Sequence, residues 1–237
     1  MDGAVRGDRR FPWFFSHQDG MVNPLEKADS HSRVSGEGGP LWRTPLLPLP
    51  AALLFPGRRL PLHVRDPRAR EMLERVRRED GLVSLATLKP GRHPRDRGEA
   101  QVYAVVGVGR ILHTVTYPLG MHVTFEGISR GRLVGEERVG ESRIGLVVPL
   151  VEKEGAQEVQ RELARLMREV GDLGPFVRRH AAGLKPGQIA DLINAHLPHP
   201  VKVRQEAFEI LDVARRIRFV RNLFQKTRRA QGTFRVF

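Results

Sequence analysis

The feature that most limits how this chain can fold is an apolar run, residues 45–64, that is interrupted by proline five times. The run reads PLLPLPAALLFPGRRLPLHV, with prolines at positions 45, 48, 50, 56 and 61. Proline has no backbone N–H and is kept out of helix interiors and central strands. The run therefore cannot form one buried helix or one long central strand. It predicts short strands, with prolines at strand ends and in a turn.

The residues up to position 153 have the composition of β-strands. Stretches rich in β-branched and apolar residues are separated by turn signals, at 60–65, 82–88, 102–117, 121–137 and 142–152. Gly107 and Gly109 interrupt the longest stretch and predict a bulge or sharp bend. Residues 118–120 predict a tight hairpin turn. One helix is inserted, with Asp66 as its N-cap and Pro67 at its first position. This half is expected to be a small, strongly bent sheet or open barrel with one covering helix.

Beyond residue 155 the apolar spacing becomes helical. Val159, Leu163 and Leu166 fall on one face of a first helix, and further helices are predicted from Pro175 and Pro186. The predicted fold class is therefore α+β, with a helical bundle of short connections after the sheet. The predicted division is a disordered N-terminal extension at 1–43, a β subdomain at 44–153 and a helical bundle at 154–237.

Charge permits a nucleic-acid partner without requiring one. The formal net charge is +13, but most basic residues are interspersed with acids, and only residues 215–237 hold eight bases and no acid. That segment could grip phosphates or lie on an anionic membrane. Alternatively, it forms a last amphipathic helix whose basic face is solvated and complements the helix dipole.

Composition also narrows the chemistry. The chain has no cysteine, so disulfides and thiolate metal sites are excluded. No apolar run approaches the roughly 20 residues needed to span a bilayer, and a cytoplasmic location is the default expectation. A P-loop of the form GxxxxGK[ST] is absent, as is a PxxGPSAG-type loop around a catalytic serine. We therefore expect no enzyme activity, no cofactor and no metal.

Several separated motifs, in the correct order, resemble the N-terminal domain of Lon proteases. They comprise an LPLLPL-type strand, an FPG turn, an LPL strand, a helix that begins Asp-Pro-Arg, two paired glycine- and arginine-bearing strands, and a helical half from residue 189. The positions that carry the signature, all expected to be structural, are Phe55, Pro56, Gly57, Pro61, Gly109, Arg110, Glu126, Gly127, Arg130 and Gln205.

The resemblance covers about residues 44–230, so residues 44–237 are expected to form one such domain. It implies a PUA-like bent β subdomain followed by a helical bundle, in a stand-alone member that lacks the ATPase and protease domains. The function it implies is non-catalytic binding of unfolded or tagged protein segments. Such a module could serve as an adaptor or modulator in protein quality control, with a protease or chaperone as partner. Its oligomeric state is left open.

Candidate peptide-binding residues lie near the predicted 118–120 hairpin. They are Tyr103, Tyr117, Leu119, Met121 and Phe125, and simple core packing is the alternative for each. His113 and His122 could meet across this hairpin as a surface pair. Glu126 is expected to pair structurally with Arg110 or Arg130.

The alternative function is RNA binding, through a basic surface and the arginine-rich C-terminal helix. PUA-like folds bind RNA in other families, and this reading predicts a steep dependence on salt. Glutamates are interspersed among the basic residues of the helices, however, and few aromatic residues are expected to be exposed for base stacking. Protein binding is therefore ranked above nucleic-acid binding.

Overall fold

A computed structural model describes residues 33–36, 39–91, 101–170 and 174–231, which form seven strands and six helices. The strands are β1 (Arg33–Gly36), β2 (Gly39–Leu49), β3 (Arg59–Val64), β4 (Leu82–Thr87), β5 (Val105–Tyr117), β6 (Gly120–Val139) and β7 (Ser142–Leu150). The helices are α1 (Pro67–Arg78), α2 (Ala156–Glu169), α3 (Gly174–Ala181), α4 (Pro186–His196), α5 (Val201–Glu209) and α6 (Val213–Gln231).

Five strands close into a barrel because two long strands change partner along their length. The first part of β2 pairs antiparallel with β7 and its second part pairs in parallel with β4. β6 pairs with β3 near its start, with β7 further on, and with β5 along both parts. The hydrogen-bonded ring thus runs β2–β4–β5–β6–β7 and back to β2. The bent sheet expected from the sequence is confirmed, and β7 closes it further than an open barrel.

The prolines of the 45–64 run lie where the sheet tolerates them. Pro45 is paired only with β7, Pro48 only with β4, and Pro61 only with β6. Each therefore has a strand neighbour on one side, so the missing N–H removes no bond on the other side. Pro50 and Pro56 lie outside the strands, in a bend and a turn.

The β structure begins earlier than expected. β1 pairs antiparallel with the start of β2, with Arg33 opposite Trp42. The Trp42 side chain is only 8% exposed and belongs to the barrel core, which anchors this part of the chain. The prediction of disorder is therefore wrong for residues 33–36 and 39–43. The rest of that predicted extension lies outside the described residues.

Helix α1 follows the sequence expectation. The Asp66 carboxylate accepts hydrogen bonds from the backbone N–H groups of Arg68 (2.9 Å) and Ala69 (3.0 Å), which confirms the N-cap. Its apolar stripe packs into a barrel-side core that also contains Val83 and Phe125. The stripe consists of Met72, Leu73 and Val76.

The helical half packs α2, α4 and α6 around one apolar core that includes Leu166, Ile193 and Phe224. Helices begin at Gly174 and Pro186, close to the predicted starts. The sequence that follows α4 forms two helices, α5 and α6. The Asp212 side chain accepts a hydrogen bond from the Arg215 N–H (2.8 Å) and so caps the start of α6.

Candidate functional site

The end of the β5–β6 hairpin presents large apolar side chains to solvent. The exposed fraction is 36% for Val115, 48% for Tyr117 and 86% for Leu119. His122 of β6 is paired with Val115 on one side and with His63 of β3 on the other, so their side chains share one face of the sheet. We call this surface the hairpin face, defined as His63, Val115, Tyr117, Leu119 and His122.

Three rings form a continuous row across the hairpin face. The Tyr117 ring meets the His122 ring edge to face, with 5.2 Å between centroids. The His122 ring stacks on the His63 ring at 4.6 Å. Desolvation lowers the pKa of His63, and the proximity of His122 and Arg65 lowers it further. These effects favour the neutral form of the His63 ring.

The structure separates the five predicted peptide-binding residues into three groups. Tyr117 and Leu119 are exposed on the hairpin face. Met121 and Phe125 are 1% and 0% exposed, because odd-numbered residues at this end of β6 point into the core. Their assignment as contact residues is therefore wrong. Tyr103 is half-buried elsewhere, and desolvation together with Glu209 and Glu206 of α5 raises its pKa.

Sequence reasoning missed Val115 and the histidine pair His63–His122. Val115 could have been found from strand periodicity, since it lies two residues before Tyr117 and so on the same face. The predicted meeting of His113 and His122 is wrong. A register shift after Ile111 places His113 opposite Thr124.

The FPG turn lies against β5 and β6, and glycines make room for it. A Cβ atom on Gly127 would lie 2.0 Å from the Phe55 carbonyl oxygen, and one on Gly109 would lie 2.6 Å from the Glu126 carbonyl oxygen. Gly57 has a φ of +69°, which favours glycine. The backbones of Gly57 and Gly127 are joined by a 2.8 Å hydrogen bond. The signature glycines thus serve close packing of backbone on backbone. The predicted bulge near Gly109 is also confirmed, as a register shift after Val108.

The turn also contacts the helical half. The Phe55 ring packs edge to face on Phe208 of α5, with 5.3 Å between centroids. Gln205, fully buried on α5, donates a 2.9 Å hydrogen bond to the Val105 carbonyl oxygen of β5. These contacts fix α5 on the barrel.

A buried ionic cluster completes this contact between the two halves. We call it the junction network, consisting of Arg130, Glu152, Asp191 and Arg216. The Arg130 guanidinium donates to Glu152 and to Asp191 (2.7 Å), and its Nε donates to the Phe208 carbonyl oxygen (2.9 Å). Arg216 bonds the other Glu152 oxygen at 2.9 Å.

The electrostatics of the junction network are those of a structural cluster. Arg130, Asp191 and Arg216 are each at most 1% exposed. Burial raises the pKa of Asp191, and the guanidinium groups of Arg130 and Arg216 oppose that rise. Because Arg130 is fully engaged here, it does not pair with Glu126 as one expectation had it. Glu126 lies opposite Arg110 in the β5–β6 register instead.

Helix α2 pairs with part of the basic surface of the C-terminal helix α6. Arg218 bonds Glu158 (2.6 Å) and Arg221 bonds Glu162 (2.8 Å), while Arg216 is buried in the junction network. These pairs account for part of the basic concentration without a phosphate ligand. Residues 232–237 of the predicted basic segment lie outside the described residues.

Among the described residues, neither a metal site nor a membrane-spanning helix is present. In these ranges no group of three or more histidine, aspartate or glutamate side chains could hold a metal ion. None of the described helices is both long and apolar enough to cross a membrane.

The closed barrel, the FPG turn and the helical half joined to it define an α+β domain, a PUA-like bent barrel followed by a helical bundle. The chain belongs to the family of the ATP-dependent protease La (LON) substrate-binding domain, whose family model matches residues 43–226. The family expected from the sequence motifs is thereby confirmed.

Two solved structures share the fold. The N-terminal domain of the Mycobacterium avium complex Lon protease matches 77% of this chain and 98% of its own, with a TM-score of 0.62 and 19% identity. A Lon N-terminal domain protein from Xanthomonas campestris matches 74% of this chain and 95% of its own, with a TM-score of 0.55 and 18% identity.

Curated relatives are full-length Lon proteases. Lon protease 2 of Myxococcus xanthus is 27% identical over 195 residues, which cover 78% of this chain and 24% of that protein. The Lon protease of Bacillus thuringiensis (strain Al Hakam) is 28% identical over 191 residues, covering 76% and 24%. The chain thus spans about a quarter of the length of these relatives.

Proposed function

We propose that this chain is a non-catalytic recognition module that binds unfolded, partly apolar protein segments on the hairpin face. The observation that carries the proposal is the row of exposed apolar and aromatic side chains there. Monomeric domains rarely keep such patches on the surface without an interaction to serve. The family match to a substrate-binding domain supports the same reading. In a cell, the module would act in the cytoplasm as an adaptor or modulator in protein quality control.

The chemistry of the hairpin face suits an extended chain with large side chains. Tyr117 and the two stacked histidines provide flat surfaces for aromatic or aliphatic groups. Leu119, at the end of the turn, adds an exposed apolar contact. Because the face offers few side chains, we expect weak binding of one segment and stronger binding where several segments or several modules act together.

The test is fluorescence anisotropy of labelled, unfolded casein with the purified 237-residue chain in a Phe14→Ser/Phe15→Ser background, which removes the chain's own aromatic cluster as a competitor for an apolar surface. We expect Tyr117→Ser and Leu119→Ser each to weaken binding by about tenfold, the effect of losing one interface hot spot of about 1–2 kcal/mol. Val151→Ser is the matched control, because Val151 is 82% exposed but lies outside the hairpin face, in the connection between β7 and α2. Equal affinities for all four proteins would refute the hairpin face as the binding surface.

A labelled single-stranded RNA in the same assay tests the alternative function. Protein binding through apolar contacts should persist between about 50 and 200 mM salt, whereas phosphate binding would fall steeply over that range. Tight, salt-sensitive RNA binding combined with no casein binding would replace our proposal with a nucleic-acid function. We expect weak RNA binding, because Arg218 and Arg221 already pair with glutamates.

A further inference from the structure

A second apolar feature of the chain lies in the sequence that precedes β1. Residues 11–15 read FPWFF, which places Phe11, Trp13, Phe14 and Phe15 within five positions. Each such side chain has an apolar area of about 150–250 Å² to remove from water. A cluster of this size favours association with a complementary apolar surface.

The described surface offers one concentrated place for such an association. Seven large apolar side chains are exposed among the described residues, and four of them, Leu112, Val115, Tyr117 and Leu119, lie at the hairpin end. The row of rings on the hairpin face can also contact the rings of an aromatic segment, since aromatic rings pair favourably in offset or edge-to-face arrangements. The other exposed apolar side chains are single valines.

We infer that the chain's own residues 11–15 dock on the hairpin face and compete there with client segments. This inference rests on the proposed function of that face. It makes the N-terminal segment an intramolecular occupant, so that free clients bind only when they displace it.

The length of chain permits this contact. Arg33 is opposite Trp42, and Trp42 opposite Val147, so β1 lies at the end of the barrel near the start of β5. From there to Tyr117 is about 40 Å, at a rise of about 3.3 Å for each strand residue. The chain between Phe15 and Arg33 can span about 60 Å when extended.

Charge does not oppose the contact. Residues 1–32 hold five acids and four bases and so sum to −1, whereas the rest of the chain, with 36 bases and 22 acids, carries +14. The hairpin face is flanked by basic side chains, with Arg65 close enough to lower the pKa of His63. A segment of near-neutral charge therefore approaches this basic part of the surface without net repulsion.

Tryptophan fluorescence of the full chain tests the inference directly. The chain has two tryptophans, and Trp42 is buried in the barrel, so the difference between wild type and Trp13→Phe reports on Trp13 alone. We expect blue-shifted Trp13 emission that resists acrylamide quenching. Tyr117→Ser and Leu119→Ser should shift that emission to the red and expose it to quencher, while Val151→Ser should leave it unchanged.

Each other outcome overturns the inference. Trp13 emission that matches a free peptide of residues 8–20 would show no docking, and protection that survives both hairpin-face variants would place the segment elsewhere. Protection that appears only as protein concentration rises would show docking on a second copy. Since this readout needs no client, it stays informative even where casein fails to bind.

Competition is measured with the casein assay. A tethered segment acts at an effective concentration of about 1 mM, so its removal should raise casein affinity by about tenfold if it binds with a Kd of about 0.1 mM. We expect that gain for the Phe14→Ser/Phe15→Ser variant and no gain for Phe14→Tyr/Phe15→Tyr, which keeps the rings. An unchanged affinity in the serine variant would contradict competition.

Discussion

At the scale of single residues, the glycines under the FPG turn show how sequence sets the architecture. Gly127 and Gly109 lie on neighbouring strands; the Phe55 carbonyl of the turn fills the space beside Gly127, and the Leu54 side chain and the Glu126 carbonyl fill the space beside Gly109. Without that space, Phe55 could not reach Phe208 and the barrel would lose one of its contacts with α5. The packing at these two positions therefore requires glycine, because any Cβ atom would overlap neighbouring atoms.

We expect Gly127→Ala to destabilise the fold by at least about 2 kcal/mol, because its Cβ would overlap the rigid Phe55 carbonyl. Gly155→Ala is the control, since no atom lies within 4 Å of its Cβ position, and it should cost no more than about 1 kcal/mol. Urea denaturation followed by circular dichroism measures both. Similar midpoints for the two variants would contradict this account of the turn.

The stacked histidines give a second expectation at this scale. We expect the His63 ring to titrate below its ordinary pKa of 6.5, because desolvation, His122 and Arg65 all disfavour its protonated form. A lowered folded-state pKa means that the unfolded chain takes up the proton first, so this contribution to stability is present above pH 6.5 and is lost as pH falls below it.

NMR titration of the imidazole protons measures the His63 pKa directly. His122→Ala should move that pKa upward, since it removes one of the three causes, and His113→Ala serves as the control on the neighbouring strand. A His63 pKa at or above 6.5 in the wild type would show that the stack does not disfavour protonation.

At the scale of elements, features that depend on neighbouring residues could be predicted from the sequence, whereas features that depend on residues distant in sequence could not. Helix α1 was predictable because its cap and its stripe are local, within residues 66–76. The inward orientation of Met121 and Phe125 was not, because it depends on how β6 pairs with β3 and β5. The same holds for His122, whose partner His63 lies far away in sequence. Strand existence is a local property, whereas the face a side chain occupies is set by non-local pairing.

The α2–α6 contact gives an expectation about charge pairs. In double-mutant cycles to alanine, Glu162 and Arg221 should couple by about 1–2 kcal/mol, since both are largely buried and hydrogen-bonded. Glu158 and Arg218 are about half exposed, and their coupling should stay below about 0.5 kcal/mol. Thermal denaturation of the seven proteins, the wild type with three variants for each pair, measures both couplings. A larger coupling for the exposed pair would reverse our view of how α6 is held.

At the scale of the whole molecule, the junction network makes the two halves one unit. Arg130 comes from β6, Asp191 from α4 and Arg216 from α6, while Glu152 sits in the connection after β7. The same connection is bonded to the start of α6 through Lys153 and Val213. The sequence identified Arg130 as a signature residue, but its partners lie 22 and 61 residues away and could not be assigned from spacing.

We expect the two halves to unfold in one transition. In the Trp13→Phe protein, which has Trp42 as its one tryptophan, the fluorescence of the barrel and the circular dichroism of the helices should change together. Arg130→Met leaves the buried Asp191 short of a partner, which should cost about 3–5 kcal/mol and separate the two transitions. Arg218→Met is the control, because that arginine is exposed and pairs at the surface. Transitions that stay coincident in Arg130→Met would show that apolar contacts alone couple the halves.

The closure of the barrel by β7 has a consequence for synthesis. Trp42 pairs with Val147 across more than a hundred residues of sequence, so the ring cannot close until β7 has left the ribosome. Until then β2 presents an unpaired edge beside an incomplete core. Such distant pairing slows folding and lengthens the time spent in open intermediates. A domain that we propose to bind unfolded chains is therefore itself, during its own synthesis, a chain of the kind it would bind.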